Sequence, residues 1–328
     1  MRATSRHLAL PLLVALPLAC GGLEPAEVGG PGDDQEEEFS HGQSDEEELT
    51  RTTQANRQVV ELITWNLHNN AGAGSEGQTC RWHARDENIR AVLLDQNPDV
   101  LALQEDGVLS GLGVTVKDKV ASWLSNRYQV TSTTAFKGER YGIFVKKSKF
   151  KIAEAGDIYP AGARGMCWAR INPRDGTLND FYVINAHFKA HASADDRRQR
   201  RAQARTVLEW IHGLNRPGRP VFLLGDLNAT PGDEAYKILT GAPGHRSSGC
   251  GSSCRFLRDT AQQNENNKTH PNSSPDKQLD YVMATDFGID KKDVATINSF
   301  RVGSGAACQG GGRMSDHRGF RSKVVIHD

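Results

Sequence analysis

The chain of 328 residues is poor in the features that would mark a membrane protein, a zinc module or a repeat array. No Cys-x-x-Cys pair stands at matching histidine spacing, so no zinc site is indicated. No segment repeats internally. The single long apolar run, Leu8 to Leu18, is too short to span a bilayer and stay there, and no second one follows. Strand-like and helix-like segments do not alternate strictly, which argues against a doubly wound parallel sheet and for an α/β layered fold with mixed sheets. The formal net charge is zero, but the charge is spread unevenly.

The N-terminus carries the unevenness. Arg2 and Arg6 precede the apolar run, and Ala19-Cys20 follows it: a basic start, a short apolar core and a small residue at the cut. Residues 1–19 therefore read as a signal peptide of a bacterial exported protein. Cys20-Gly21-Gly22 suggests a lipid anchor on Cys20, although Pro17 stands where such signals usually have Leu; plain secretion after Ala19 is the alternative. Residues 20–57 read as a disordered acidic tether, with the acidic runs Asp33 to Glu38 and Asp45 to Glu48 and almost nothing apolar between them. Residues 58–328 suit one large domain with a full core. This part keeps an excess of Lys and Arg, which favours an anionic partner. Apart from Cys20 the cysteines are Cys80, Cys167, Cys250, Cys254 and Cys308. An exported chain can form disulfides, and Cys250 and Cys254 are close enough to bridge a small loop. Five is odd, leaving one thiol free or paired outside the chain.

The folded part is organised around Pro220 to Pro231. Val221 to Leu224 reads as a strand buried on both faces, ended by Gly225. Asp226 and Asn228 stand two apart, so continued extended geometry would lean both side chains to one side. The plain alternative is an Asx-rich turn. Further strands are expected at Val59 to Trp65, Asp99 to Leu103, Tyr141 to Val145, Gly165 to Ile171, Phe181 to Ala186, Leu279 to Met283 and Lys323 to Ile326. Helices are expected at Arg85 to Gln96, Lys117 to Asn126 and Asp195 to Leu214. In the last, Ala204, Val207, Leu208 and Ile211 line one face; Arg197, Arg198, Arg200 and Arg201 read as its solvated face, a nucleic-acid grip being the functional alternative. Gly241 to Gln278 is loop-heavy, and Ser299 to Met314 is glycine-rich and expected to be mobile.

Polar residues collect where strands end: Asn66, Glu105, Glu139, His187, Asp226, Asn228, Asp280, Asp316 and His317. Each alone has a dull explanation, such as a turn cap or a satisfied core histidine. If the strands lie side by side, their ends converge. Hard oxygen donors such as Glu105, Asp316 and the Asn66 carboxamide suit Mg²⁺ or Mn²⁺. Two histidines beside carboxylates supply a base and a positive partner for a phosphate.

The ordered set Trp65-Asn66, Gln104-Glu105, Asn185-Ala186-His187, Gly225-Asp226-Leu227-Asn228, Leu279-Asp280-Tyr281 and Ser315-Asp316-His317 resembles the endonuclease/exonuclease/phosphatase superfamily. The resemblance implies a four-layer α/β sandwich, two mixed β-sheets packed face to face with helices outside. It implies a metal site at Glu105, Asn66 and Asp316 for Mg²⁺, with Mn²⁺ or Ca²⁺ as alternatives. It makes His317 the general base, oriented by Asp280, and sets Asp226 and Asn228 to position the water and the scissile phosphate. His187 would face the phosphate or the leaving oxygen. Phe136-Lys137-Gly138-Glu139-Arg140-Tyr141, with an altered spacing, resembles the deoxyribonuclease I-like branch and would pair Glu139 with His187. Gly162-Ala163-Arg164-Gly165 resembles that branch's phosphate-gripping segment, through Arg164.

The expected activity is that of an exported divalent-metal phosphodiesterase, a DNA endonuclease acting as a monomer, with RNA as a further substrate. A sphingomyelinase-type phosphodiesterase needs an apolar membrane-entering loop, and the loops here are polar apart from Phe256 and Leu257. An inositol- or sugar-phosphate phosphatase is a third enzyme reading. A non-catalytic binding protein predicts losses among the motif residues, and none is apparent.

Overall fold

The computed structural model describes residues 57–68, 82, 85–109, 113–131, 141–160, 163–176, 179–214, 219–245, 255–260, 269, 277–285, 289–296, 315 and 317–327. All lie in Glu47–Asp328, one of two units into which the chain divides; the other is Met1–Glu46. The expected signal segment, Cys20, the acidic runs and the glycine-rich stretch Ser299 to Met314 fall outside the described residues. So do Glu139, Asp316, Cys80, Cys250, Cys254 and Cys308. Cys167 is a buried free thiol.

With strands numbered in chain order, the first sheet holds β1 (Arg57–Asn66), β2 (Val100–Gln104), β3 (Tyr128–Val130), β4 (Gly142–Lys146), β11 (Ile289–Thr296) and β12 (Phe320–His327), in the order β11-β12-β1-β2-β4-β3. The second holds β5 (Phe150–Ile158), β6 (Met166–Pro173), β7 (Phe181–His187), β8 (Val221–Asp226), β9 (Leu257–Asp259) and β10 (Asp280–Thr285), in the order β5-β6-β7-β8-β10-β9. The pairs β1–β2 and β7–β8 are parallel and the other pairs antiparallel. Both sheets are therefore mixed. The helices are α1 (Asp86–Gln96), α2 (Val116–Leu124), α3 (Ala194–His212) and α4 (Glu234–Thr240).

Period-two alternation builds the layers. Val60 and Leu62 of β1, Val100 and Ala102 of β2, Val183 of β7, Phe222 and Leu224 of β8 and Val282 of β10 fill one core between the sheets. The intervening residues face outward. Ile63, Trp65, Leu101 and Leu103 pack with Ile89 and Leu93 of α1 and Val116 and Val120 of α2. Ile184, Leu223 and Met283 pack with Ala204, Val207 and Ile211 of α3 and Ile238 and Leu239 of α4. The result is the expected four-layer α/β sandwich.

The same alternation carries function. Counting on from the inner residues, Asn66, Gln104, His187, Asp226 and Asp280 all fall on the inner parity of their strands. A register slip of one residue in β1 would bring Glu61 into the core and turn Leu62 out of it. Burying such a side chain is worth roughly 1.5–3 kcal/mol, so packing the core also sets the site.

Local signals agree. Thr115 with Asp118 and Ser193 with Asp196 form capping boxes at the starts of α2 and α3. Asn97 closes α1 in a left-handed conformation just before Pro98. Differences are local. The first strand begins at Arg57, two residues before the expected Val59 and inside the segment read as tether. The Arg run on α3 is not uniformly solvated. Arg200 is buried and donates to the carbonyls of Lys189 (2.8 Å) and His191 (2.6 Å).

Candidate active site

The central strand continues through Gly225 instead of ending there. Gly225 has φ +152°, and a Cβ would lie 1.9 Å from the Ala186 carbonyl oxygen, so only glycine lets β8 reach Asp226 alongside β7. Asp226 then pairs in register with His187 of β7 and with Asp280 of β10. In the other sheet Asn66 pairs with Gln104. Beneath these residues a buried polar bridge joins the sheets. Gln104 Nε2 donates to Asn185 Oδ1 (2.8 Å), and Asn185 Nδ2 donates to the carbonyls of Leu103 and Gly142. Asn185, quoted with His187 as one motif, is thus a linchpin below the site.

Extended geometry does not persist from Asp226 to Asn228. Asn228 adopts φ +46°; its backbone N–H donates to Asp226 Oδ1 (2.8 Å) and its Nδ2 to the Phe188 carbonyl (3.2 Å). The stretch is an Asx turn and a carboxylate centre at once. His68, Glu105 and His191 also have positive φ, at chain positions flanking the site residues. Non-glycine residues in this region cost about 1–3 kcal/mol each and cluster at functional sites.

Asp226, nearly fully buried, is the hub. Its Oδ2 accepts from Asn66 Nδ2 (3.0 Å) and lies 3.6 Å from both His187 Nε2 and His317 Nε2. Asn66 Nδ2 also donates to Glu105 Oε1 (3.1 Å), while its Oδ1 accepts from the His68 N–H (3.0 Å). That last bond fixes which amide atom faces the carboxylates. Nitrogen does, so Asn66 bridges Glu105 and Asp226 as a donor.

His317 Nδ1 lies 2.7 Å from Asp280 Oδ2, both groups buried. Burial pushes the Asp280 carboxyl up, attraction to His317 pulls it back and Asp226 pushes it up again. Ser315 Oγ donates to the Asn66 carbonyl (2.6 Å) and accepts the His317 N–H (3.1 Å), so the turn carrying His317 is tied to the end of β1. Thr269 was not foreseen. Its hydroxyl accepts the backbone N–H groups of Leu279 and Asp280, and nothing in the sequence singles out one threonine within a polar loop.

Arg164 Nη1 lies 3.2 and 3.0 Å from the two ring nitrogens of His187. A nitrogen that close to both must sit over the ring face, since in the ring plane it would overlap Cε1. Among the residues expected in the site, Asn66, Glu105, Arg164, His187, Asp226, Asn228, Asp280 and His317 are brought together. Glu139 and Asp316 lie outside the described residues.

Asp106, beside Glu105, is fully buried. One of its oxygens accepts the Lys117 N–H, and Oδ2 has no hydrogen-bond partner among the described residues. Burial, opposed by the Lys117 N–H, pushes its carboxyl up to about 7. The folded state then holds this proton more tightly than the unfolded chain. Its stability contribution is present at low pH and lost as pH rises from about 4 through about 7, on the order of 4 kcal/mol over the whole range. Asp106→Asn should remove that decline. Melting temperature against pH, in chelator, should fall for the wild type and stay flat for the variant; parallel curves would contradict the assignment.

The carboxylates of Asp226 and Asp280 and the imidazole of His317 offer ligand atoms within 4.8 Å of one another and could hold a metal ion. The donor set fits a hard divalent cation: the oxygens dominate, and Asp280 Oδ1 is buried with no hydrogen-bond partner among the described residues.

The Endonuclease/Exonuclease/phosphatase family model matches residues 63–317, and the chain belongs to that family. Enzymes of this fold are phosphoester hydrolases, usually metal-dependent. No curated protein matches the chain. Solved structures share the fold at low identity. A family protein from Bacteroides thetaiotaomicron is 19% identical, with TM-score 0.62, covering 83% of this chain and 99% of that one. TDP2 of D. rerio, solved with a single-strand DNA product, is 16% identical, with TM-score 0.58, covering 81% and 98%. The human Nocturnin catalytic domain, solved with a bound sulfate, is 17% identical, with TM-score 0.57, covering 82% and 97%.

Proposed function

We propose that this protein is an exported, divalent-metal-dependent DNA endonuclease. The observation that carries the reading is the continuous chain of contacts from Glu105 through Asn66 and Asp226 to the His317–Asp280 pair, with Arg164 and His187 beside it. A DNA product in a structural neighbour and the Lys and Arg excess of residues 58–328 support the substrate class. Arg2, Arg6, the apolar run and Ala19-Cys20 support export, with Cys20 as a lipid anchor.

In this reading Glu105 and Asp316 would hold Mg²⁺, for which Mn²⁺ or Ca²⁺ could substitute. The ion would supply Lewis-acid neutralisation of the phosphate. Asp226, and Asn228 in its turn, orient a water in line with phosphorus. His317 Nε2 takes the water proton as the new O–P bond forms. Asp280 holds the Nδ1–H, keeping Nε2 available as the base. As the ester P–O bond breaks, the leaving oxygen takes a proton from solvent water beside His187, while Arg164 and His187 offset the phosphate charge.

Supercoiled plasmid incubated with Mg²⁺, Mn²⁺ or Ca²⁺ tests the proposal. Metal-dependent nicking that disappears in Glu105→Gln is expected. Intact plasmid under every metal, with phosphocholine or inorganic phosphate released from other esters instead, would assign the site to another substrate.

A further inference from the structure

The loop that follows His187 is held with unusual care for an exposed connection. Phe188 N–H donates to the Asp226 carbonyl (2.8 Å), extending the β7–β8 ladder one residue past the catalytic histidine. Gln203 of α3, fully buried, accepts the Lys189 N–H (2.9 Å) and donates to the Arg164 carbonyl (3.2 Å). One amide thus straps together the backbones of two cationic residues on either side of His187. Arg200, also buried, grips the carbonyls of Lys189 and His191, and His191 sits at φ +74°. The loop backbone is fixed, whereas the Lys189 side chain is loosely held. Its Nζ lies 3.7 Å from Asp196 Oδ1, and the side chain is 29% exposed. That separation is beyond hydrogen-bond distance, so a phosphate oxygen can compete for the ammonium group.

We infer that Lys189 is a specificity-determining contact for the phosphate next to the scissile one, so that the site selects diesters within a polynucleotide over isolated phosphate esters. The inference rests on the proposed phosphodiesterase chemistry and deepens it. Arg164 and His187 meet the reacting phosphate. Lys189, two residues further on and pinned by the same glutamine, meets its neighbour on the strand. A lysine serves because a second phosphate needs a point charge on a flexible stem and no fixed geometry.

The test compares a single-stranded oligonucleotide with bis(p-nitrophenyl) phosphate, which has no second phosphate. Lys189→Gln should lower the ratio of kcat/KM for the oligonucleotide to that for the small diester about tenfold, chiefly through KM. It should also reduce the slope of log(kcat/KM) against log salt on the oligonucleotide by about one. Lys189→Arg should restore both. An unchanged ratio, or an equal fall on both substrates, would overturn the inference and leave the phosphodiesterase reading standing. Activity on the small diester without activity on the oligonucleotide would also overturn it. A wild type inactive on both would remove the underlying reading and this inference with it.

Discussion

Asp226→Ala should cut kcat/KM on plasmid by about 10³-fold or more while moving the melting temperature little. The carboxylate is the common neighbour of Asn66, both histidines and Asp280. It accepts from Asn66 and stands 3.6 Å from each histidine. Its loss leaves Asn66 Nδ2 with Glu105 as its remaining carboxylate partner and strips both histidines of a shared counter-charge. The structural cost is small by comparison. The Asx bond to the Asn228 N–H is worth about 1 kcal/mol. Against that, a buried charge that pushes on Asp280 is gone. The backbone of Asp226 still carries the ladder to β7 and β10, which the substitution does not touch. Asp226→Asn separates the roles, because it can keep the turn while lacking the charge; it should be nearly as inactive as the alanine variant. A chain that unfolds with alanine and stays active with asparagine would make Asp226 a turn residue only.

The positions of these residues were legible because both sheets obey the two-residue period up to the site. Asn66, His187, Asp226 and Asp280 each follow an apolar run whose inner members are every second residue, so the run that packs the core also aims the polar residue after it. Conformation was less legible. At Asn228 the spacing allows an extended residue or an Asx turn, and the turn prevails because a left-handed conformation is cheap for asparagine and satisfies the Asp226 carboxylate. Asn66 reads as an oxygen donor by residue type; the His68 N–H, which claims that oxygen, appears only once the chain turns back. Phe150–Ile158 does not read as a strand because only its two end residues are fully buried, it carries Ala, Gly and charges, and it pairs on one side only, with β6. Leu257–Asp259 and Tyr128–Val130 are too short, at three residues each, for any period to show. Gln203 and Arg200 sit on a helix whose pattern marks a buried stripe, and no pattern tells which polar members of that helix turn inward to hold a loop.

Asp280→Asn should lower kcat on the order of 10³ to 10⁴-fold with little change in KM, on the general pattern of histidine bases whose carboxylate partner is neutralised. The 2.7 Å contact to His317 Nδ1 does two things. In the proposed mechanism it fixes the tautomer that would leave Nε2 free to accept the water proton, and it would stabilise the resulting imidazolium. An asparagine can turn its carboxamide oxygen to Nδ1 and keep the ring in place, since the buried Oδ1 side has no competing hydrogen bond among the described residues. At His317 the charge is then the only loss; the carboxamide NH2 on the buried side lowers stability and not the proton affinity of the ring. The attraction that pulls the Asp280 carboxyl down against its burial equally favours the proton on His317. Without it, the acid limb of the kcat/KM profile should move to lower pH, because more acid is then needed to protonate the imidazole. A variant that lost only its fold would lower activity evenly across pH and melt early. A variant with wild-type kcat and an unmoved acid limb would show that His317 takes no proton during the reaction, and the base would have to be sought at His187.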